Sequence, residues 1–196
     1  MVLGDKNTSY FHNWATQRFR RNNISELRPL DGSLVSGDEN VSTLIVEYYQ
    51  LLFTSSNPSD IKEVMQHTNR RVDDTMNAEL ISEFIKAEVE VALKQMAPLK
   101  APGPDGMLLI FFQHYWNSIG DDVVKAVLSC LNSKKNLLGL NHTFITLIPK
   151  VKSPKYFTEF CPIALCNILY KLVSKVLENK LKRVLPLIIS ESQSAF

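Results

Sequence analysis

Lysines crowd a short segment between two apolar runs, where they could bind phosphate groups. Lys150, Lys152 and Lys155 follow a run rich in strand-forming residues over 143–148. Pro149 ends that run, because proline cannot donate the next hydrogen bond of a β-ladder. Lysine ammonium groups on a mobile loop neutralise phosphate charge without fixing its geometry. The pattern predicts a polyanion-binding loop, and an ordinary solvated loop beside a core helix accounts for it equally.

Two strands and a helix are predicted to position this loop. Residues 162–165 resume an apolar extended segment, which can pair with the first strand as a hairpin whose tip carries the lysines. From Leu169 the apolar residues recur at spacings of three and four, and Pro186 closes the helix that they predict. Lys171 and Lys175 lie on the polar side of this helix. Its apolar side consists of Leu169, Leu172, Val173, Val176, Leu177, Leu181, Val184 and Leu185.

A second basic group lies near the N-terminus. Residues 5–21 are predicted to form a helix with aromatic side chains on one side and three arginines in its last turn. Cations in that turn complement the helix dipole. Arginines beside aromatic rings also suit contacts with single-stranded nucleic acid, so both roles stay open. The residues concerned are Tyr10, Phe11, Trp14, Arg18, Arg20 and Arg21.

The next segment contains turn, cap and linker signals. Asp31–Gly32 is a type I′ hairpin signal between two apolar stretches. Asp38 is predicted to cap a helix that continues to Leu52. Serine, asparagine and proline over 54–60 predict a linker. A boundary near residue 60 is therefore expected.

The middle of the chain predicts helices around one proline-rich turn. Lys100–Gly106 holds two prolines and two glycines, which exclude helix and central strand, and Asp105 is predicted to cap the helix after it. Lys100 can reach either phosphate or water. Ile85 cannot accept amide hydrogens where one of the helices begins, so that start is expected to fray. The remaining predicted helices are 79–84, 87–96 and 121–133.

Composition bounds the class of protein. The 196 residues are 45% hydrophobic and carry a net charge of +2, so the chain can bury a sizeable core. The charge is uneven, because residues 1–30 carry +3, residues 31–97 carry −7 and residues 98–196 carry +6. A nucleic-acid surface should therefore be built from the two ends of the chain.

Several classes of site and location are excluded by the sequence. Cys130, Cys161 and Cys166 lack a metal-ligand spacing and are predicted to be reduced thiols. Without an apolar leader or a run approaching roughly 20 apolar residues, the chain is predicted to be intracellular, in nucleus or cytoplasm, with no membrane partner. The adjacent pairs Asp73–Asp74 and Asp121–Asp122 point in different directions, so no metal or catalytic role is assigned to them.

Several short segments along the chain carry a specific likeness to a known family. The most distinctive is Lys100-Ala101-Pro102-Gly103-Pro104-Asp105-Gly106. The other matching segments are the basic patch over 18–23, Gly4 to Thr8, Tyr10 to His12, Leu147 to Lys150, Phe160 to Asn167, Tyr170-Lys171, Ser174 to Leu177 and Gln193 to Phe196. In the same order, and over essentially the whole chain, these segments closely resemble the start of the reverse transcriptase domain of plant LINE-type (non-LTR) retrotransposons.

This resemblance implies a helix-rich α+β fold. An N-terminal basic extension of helix, hairpin and helix over 1–60 should precede a partial fingers region over 61–196 that contains a short β-hairpin. The family's first metal-binding aspartate follows the segment 193–196, so the palm and thumb are expected to be missing. The chain alone is then expected not to polymerise. No cofactor is expected in this chain, and magnesium is expected for the full-length family enzyme.

The resemblance also implies partners and site residues. Expected partners are RNA or an RNA/DNA hybrid, the missing palm and thumb portion and, at most weakly, a nucleoside triphosphate. Lys150, Lys152, Lys155 and Cys161 are assigned to nucleotide phosphates. Relatives usually carry arginine at position 161, and a thiol cannot grip a triphosphate as a guanidinium does. Nucleic-acid contacts are assigned to Arg18, Arg20, Arg21, Lys100, Lys171 and Lys175.

Two alternatives to a retrotransposon reverse transcriptase (RNA-directed DNA polymerase) fragment stay open. One is a noncatalytic helical module that binds RNA or protein. The other is a decayed fragment without function.

Overall fold

The computed structural model describes residues 9–29, 32–57, 59, 61–66, 71–133 and 141–189. The chain divides into two compact units. The hairpin unit comprises residues 1–58 and 146–163, and the helical unit comprises residues 59–145 and 164–196. The segment 146–163 thus groups with the N-terminal residues, while the functional division at residue 60 stays a prediction.

The N-terminal part of the hairpin unit contains two helices and a small sheet. Helix α1 spans Ser9–Asn22, strand β1 Glu26–Leu27, strand β2 Val35–Ser36 and helix α2 Asp38–Phe53. The strands pair antiparallel, with Leu27 opposite Val35.

The turn between these strands is closed one residue earlier than a type I′ turn at Asp31–Gly32 would be. A type I′ turn centred on Asp31–Gly32 would be closed by the amide of residue 33. Instead Gly32 N–H donates to the carbonyl of Pro29 at 3.0 Å, and the two residues between them lie outside the described part of the chain.

The predicted lysine hairpin is confirmed. Strand β3 spans Phe144–Pro149 and pairs with β4, Phe160–Leu165, and a 3-10 helix over Phe157–Glu159 leads into β4. Pro149 is the last residue of its strand, as its missing N–H requires. Phe157 and Phe160 are buried together with Leu27 and Val41 in the core of the hairpin unit.

Within its described residues the helical unit contains seven helices. Helices α5, α6, α7 and α8 contribute its core, because each presents an apolar stripe at helical spacing. Leu109, Ile168 and Leu172 are fully buried there. The helices are α3 Ile61–Gln66, α4 Asp74–Ile81, α5 Lys86–Gln95, α6 Leu109–His114, α7 Trp116–Asn132, α8 Ile168–Leu181 and α9 Leu185–Ile188.

The prediction that Pro186 closes α8 is wrong. Helix α8 already ends at Leu181, and Pro186 lies in the first turn of α9, where proline is tolerated because its missing N–H has no helical partner anyway. Leu177 and Leu181 are more than 40% exposed, whereas Lys180 between them is buried. The buried side of α8 is therefore rotated toward Lys180 relative to the predicted stripe.

Three predictions about helix starts are also wrong. Helix α4 begins at Asp74 instead of residue 79, and Asp73 caps it by accepting the N–H of Met76 at 2.8 Å. Asp38 lies inside the first turn of α2, where Gly37 is the N-cap residue. Asp105 accepts the N–H of Met107 at 3.1 Å in a local turn, and α6 begins only at Leu109. For α2 and α6 the helix begins at a different position from the one that the local cap signal indicated.

Among the helices that the structure describes, none combines the length and the apolar composition that crossing a membrane requires.

Candidate nucleic-acid interface

The loop between β3 and β4 is organised by an acidic residue. The carboxylate of Glu159 accepts backbone N–H groups from Lys155 at 2.7 Å and Tyr156 at 3.1 Å. These hydrogen bonds lower the pKa of Glu159, because they favour its charged form. The backbone N–H of Lys150 donates to the carbonyl of Glu159 at 2.8 Å. The loop that was predicted as mobile thus has a defined hydrogen-bonded frame.

The three loop lysines have different environments. The ammonium group of Lys150 donates a hydrogen bond to the carbonyl of Thr158 at 3.1 Å. The ammonium group of Lys155 lies 3.7 Å from the carboxylate of Glu26. Lys152 is exposed, and its side chain makes no hydrogen bond or ion pair within the described residues. The loop therefore presents one fully hydrated cation and two that already have a protein oxygen nearby.

Ser153 bends the loop between these lysines. Its φ of 53° lies in the left-handed region, which residues with a side chain seldom adopt. Such strain persists where surrounding contacts hold the backbone, and the Glu159 hydrogen bonds supply such contacts here.

Cys161 lies in β4 with an exposed side chain, and it contributes to the raised pKa of Tyr49 in α2. Burial raises the pKa of Tyr49, and the neighbouring Tyr48 and Cys161 raise it further. Tyr48 itself stacks on Phe157, with ring centroids 4.1 Å apart. Cys161 therefore lies beside the aromatic packing of the hairpin unit, and its assignment to a nucleotide phosphate stays a prediction.

The N-terminal arginines extend along an exposed helix. The guanidinium of Arg18 lies 4.4 Å from the centroid of the Trp14 ring, a cation–π contact. Trp14 is 45% exposed and Arg20 is exposed. Arg21 belongs to α1, but its side chain is outside the described structure. Helix α1 thus presents an aromatic ring and at least two cations to solvent.

The lysines of α8 already have partners within the protein. Lys171 donates to the carbonyl of Ala101 at 2.6 Å, within the proline-rich turn. Lys175 pairs with Glu178 at 3.0 Å, and only 19% of its side chain is exposed. Lys100 is exposed at the start of the turn. The predicted nucleic-acid role of Lys171 and Lys175 would require them to leave these partners.

The proline-rich turn is docked against the start of α8. The side chain of Asn167 accepts the backbone N–H of Asp105 at 3.3 Å. A Cβ at Gly103 would lie 2.5 Å from backbone atoms of Cys166 and Asn167. Only glycine lets the turn approach the start of α8 this closely.

Sequence reasoning missed three residues that order these surfaces. Glu159 lacks a serine or threonine cap partner that would have signalled its role. Arg28 hydrogen-bonds through its backbone N–H to the carbonyl of Lys155 at 2.7 Å. Lys180 is 3% exposed and donates to the backbone carbonyl of Ser82 at 2.6 Å and to its hydroxyl at 3.1 Å.

No group of three or more histidine, cysteine or acidic side chains in the described ranges could hold a metal ion. Asp121 instead pairs with Lys86 at 2.7 Å, which lowers the pKa of Asp121. The residues described here do not fit the magnesium expected for the full-length family enzyme, so no step through a metal is derived for them.

Comparison with known proteins finds one relevant similarity. The chain is similar over 97% of its length to the uncharacterized 149 kDa protein of transposon TX1 from Xenopus laevis, with 26% identity over 191 residues. The chain spans 15% of the length of that relative. No family model matches the chain. The similarity supports a transposon-related origin.

Proposed function

We propose that this chain is the N-terminal extension and fingers portion of the reverse transcriptase of a LINE-type retrotransposon. The observation that carries the proposal is the similarity to a transposon protein over nearly the whole chain. Two of the segments that resemble the plant family lie in definite structures here, since Lys100–Gly106 docks at the start of α8 and the lysine hairpin forms. Polymerisation would then depend on metal-binding residues outside this chain.

The proposed contribution of this chain is binding of RNA or an RNA/DNA hybrid through phosphate contacts. Exposed Arg18, Arg20 and Lys152 are available to a polyanion, and Trp14 offers a ring for base stacking. Lysines and arginines that neutralise phosphates release counterions, so binding weakens as salt rises. Little sequence preference is expected, because contacts to the phosphate backbone carry no base information.

Fluorescence anisotropy with a labelled single-stranded RNA of about 20 nucleotides tests this proposal. Replacement of Arg18, Arg20 and Arg21 by alanine should weaken binding for every RNA sequence alike. It should also flatten the slope of log affinity against log salt by about 2, since each phosphate contact on a single strand contributes roughly 0.7. A chain that binds no RNA at low salt would contradict the proposal.

The control for this test removes the same charge elsewhere. Lys62, Lys94 and Lys125 are exposed helical residues outside the proposed interface. Their triple replacement by alanine should leave the salt slope close to that of wild type. An equal loss in both triple variants would mean that net charge alone, and no particular surface, attracts the RNA.

A second experiment tests the proposal that this chain alone does not polymerise. The chain alone, given primer, RNA template, magnesium and deoxynucleotides, should not extend the primer, because Asp73 caps a helix and Asp121 is paired with Lys86. Primer extension that disappears when the metal is chelated would show that acidic residues of this chain do hold catalytic metal.

A further inference from the structure

Arg28 contains a buried hydrogen-bond donor that the described protein does not use. Its side chain is half-buried, and its Nε–H meets no acceptor among the described residues. Buried polar groups are nearly always hydrogen-bonded, because water is no longer available to them. A guanidinium has five donors in a fixed planar fork and cannot deprotonate in a protein. Arg28 is therefore equipped for an anionic ligand with several oxygens.

Packing holds Arg28 beside the lysine loop. Leu27, the residue before it, is fully buried in the same apolar core as Phe157 and Phe160, which flank Glu159 at the end of the loop. The backbone N–H of Arg28 also donates to the carbonyl of Lys155 at 2.7 Å. These contacts join the β1 segment to the loop within one unit. The position of Arg28 is thus set by the fold of the hairpin unit.

The charges around this position favour an anion. Arg28 and the three loop lysines supply four cations, against the carboxylates of Glu26 and Glu159. Glu159 is occupied by two backbone N–H groups, and Glu26 lies 3.7 Å from Lys155. Lys152 adds an exposed cation to the same loop. A net positive surface with one fork-shaped donor suits phosphate oxygens, which guanidinium groups bind in a fixed geometry.

We propose that Arg28 is a phosphate-binding residue that acts together with the lysine loop. The Arg28 guanidinium directs its donors to phosphate oxygens, and Lys152 and Lys155 neutralise the remaining charge. The same chemistry occurs in the backbone of an RNA strand and in a free polyphosphate. The RNA source rests on the proposed function above, whereas the phosphate chemistry does not.

Arg28→Met tests this role, because methionine keeps an unbranched apolar side chain and removes every donor. RNA anisotropy should show a roughly tenfold loss of affinity, as expected for one charge-assisted contact. The salt slope should fall by about 0.7 for one lost phosphate. Arg71→Met is the matched control, since Arg71 is an exposed arginine in the helical unit, and it should leave both quantities unchanged.

Thermal unfolding separates binding from a purely structural role. Without ligand, Arg28→Met should unfold at the same temperature as wild type or higher, since the replacement removes an unsatisfied buried donor. Inorganic pyrophosphate should raise the unfolding temperature of wild type and of Arg71→Met, and raise it less in Arg28→Met. A markedly lower unfolding temperature of Arg28→Met without ligand, with unchanged ligand effects, would make Arg28 a structural residue and overturn the inference.

The two ligands distinguish this inference from the proposed function. If wild type binds RNA and Arg28→Met binds it equally well, the inference fails and the proposed function stands. If wild type binds no RNA but is stabilised by pyrophosphate through Arg28, the proposed function fails and the phosphate site stands. Absence of both effects in wild type overturns both.

Discussion

The lysines of α8 in the helical unit differ from two cations of the hairpin unit in their partners. In the helical unit, Lys171 and Lys180 donate to backbone carbonyls, and Lys175 pairs with Glu178. In the hairpin unit, Lys152 is exposed and Arg28 holds a buried donor without an acceptor among the described residues. The difference teaches that the partners of a cation in the folded chain decide whether it is available to a ligand. The lysines of α8 already have protein partners, and using them for RNA would break those contacts.

The cores of the two units also differ in size. Among the residues that the structure describes, thirteen buried residues form the core of the helical unit and four form that of the hairpin unit. A small core stabilises its surroundings less, so the hairpin unit depends more on hydrogen bonds such as those of Glu159. Changes in the helical unit should therefore cost more stability than changes in the loop.

The largest effect is expected from Gly103→Ala in the helical unit. The new methyl group would lie 2.5 Å from the backbone of Cys166 and Asn167, so the turn and α8 must separate. We expect a loss of about 3 kcal/mol in the free energy of unfolding, at the upper end for overpacking. Chemical denaturation followed by Trp116 fluorescence in a Trp14→Phe background measures it, since the chain has two tryptophans.

Gly106→Ala provides the control for the same turn. Gly106 has a φ of 67° but open space around its Cα, so alanine there meets only the left-handed backbone penalty of about 1–2 kcal/mol. Equal losses in the two variants would mean that the turn is not held against α8.

Lys180→Met should have the next largest effect. Methionine keeps much of the stem but orphans the carbonyl of Ser82, which costs about 1–3 kcal/mol, and removes the cation 3.6 Å from the Phe84 ring centroid. Urea denaturation of both proteins gives the difference.

Lys175→Met is the matched test, since Lys175 is partly buried but pairs with a side chain, whereas Lys180 is buried and donates to a backbone carbonyl. Lys175 only pairs with the half-exposed Glu178, so a loss below about 1 kcal/mol is expected. A loss as large as that of Lys180→Met would contradict the distinction drawn between these two lysines.

Ile85→Thr should stabilise the helical unit by about 1 kcal/mol. Ile85 is the N-cap residue of α5 and is 57% exposed, and its own N–H already donates to Glu88 at 3.0 Å. A threonine hydroxyl would complete the capping box by accepting an amide hydrogen of the first turn. Thermal unfolding measures the gain. Val91→Thr, at an exposed position within α5, should give none.

The smallest effect concerns Glu159 in the hairpin unit and should appear only as a pH dependence. Its pKa in the folded chain is lowered from the ordinary value of 4.5, so the folded state favours the carboxylate. The resulting stability is fully present above that value and is lost as pH falls through the lowered pKa. Glu159→Gln should therefore unfold at a lower temperature than wild type at pH 7. The two proteins should converge in acid, and a pH-independent difference would mean that the carboxylate charge does not hold the loop.

Local patterns in the sequence predicted most of the elements, but neither α3 nor α9, and not all of the boundaries. The β-branched run before Pro149 gave β3 correctly, and the apolar spacing after Leu169 gave most of α8. Both signals depend on neighbouring residues only. The helix starts at Asp38 and Asp105 were misjudged because a cap signal competes with the packing of the whole helix. Glu159 was missed because its partners are backbone amides of residues that carry no cap signature.

The sequence by itself determined that this chain forms helices and a lysine-bearing hairpin, and it placed basic residues toward both ends. Only the tertiary structure decided which of those cations have protein partners. Lys180 is buried because Ser82, 98 residues away, presents a carbonyl and a hydroxyl to it. Arg28 lies beside Lys155 because Leu27 and Phe157 share a core. Periodicity describes one segment at a time, whereas these partners come from segments that meet only when the chain has folded.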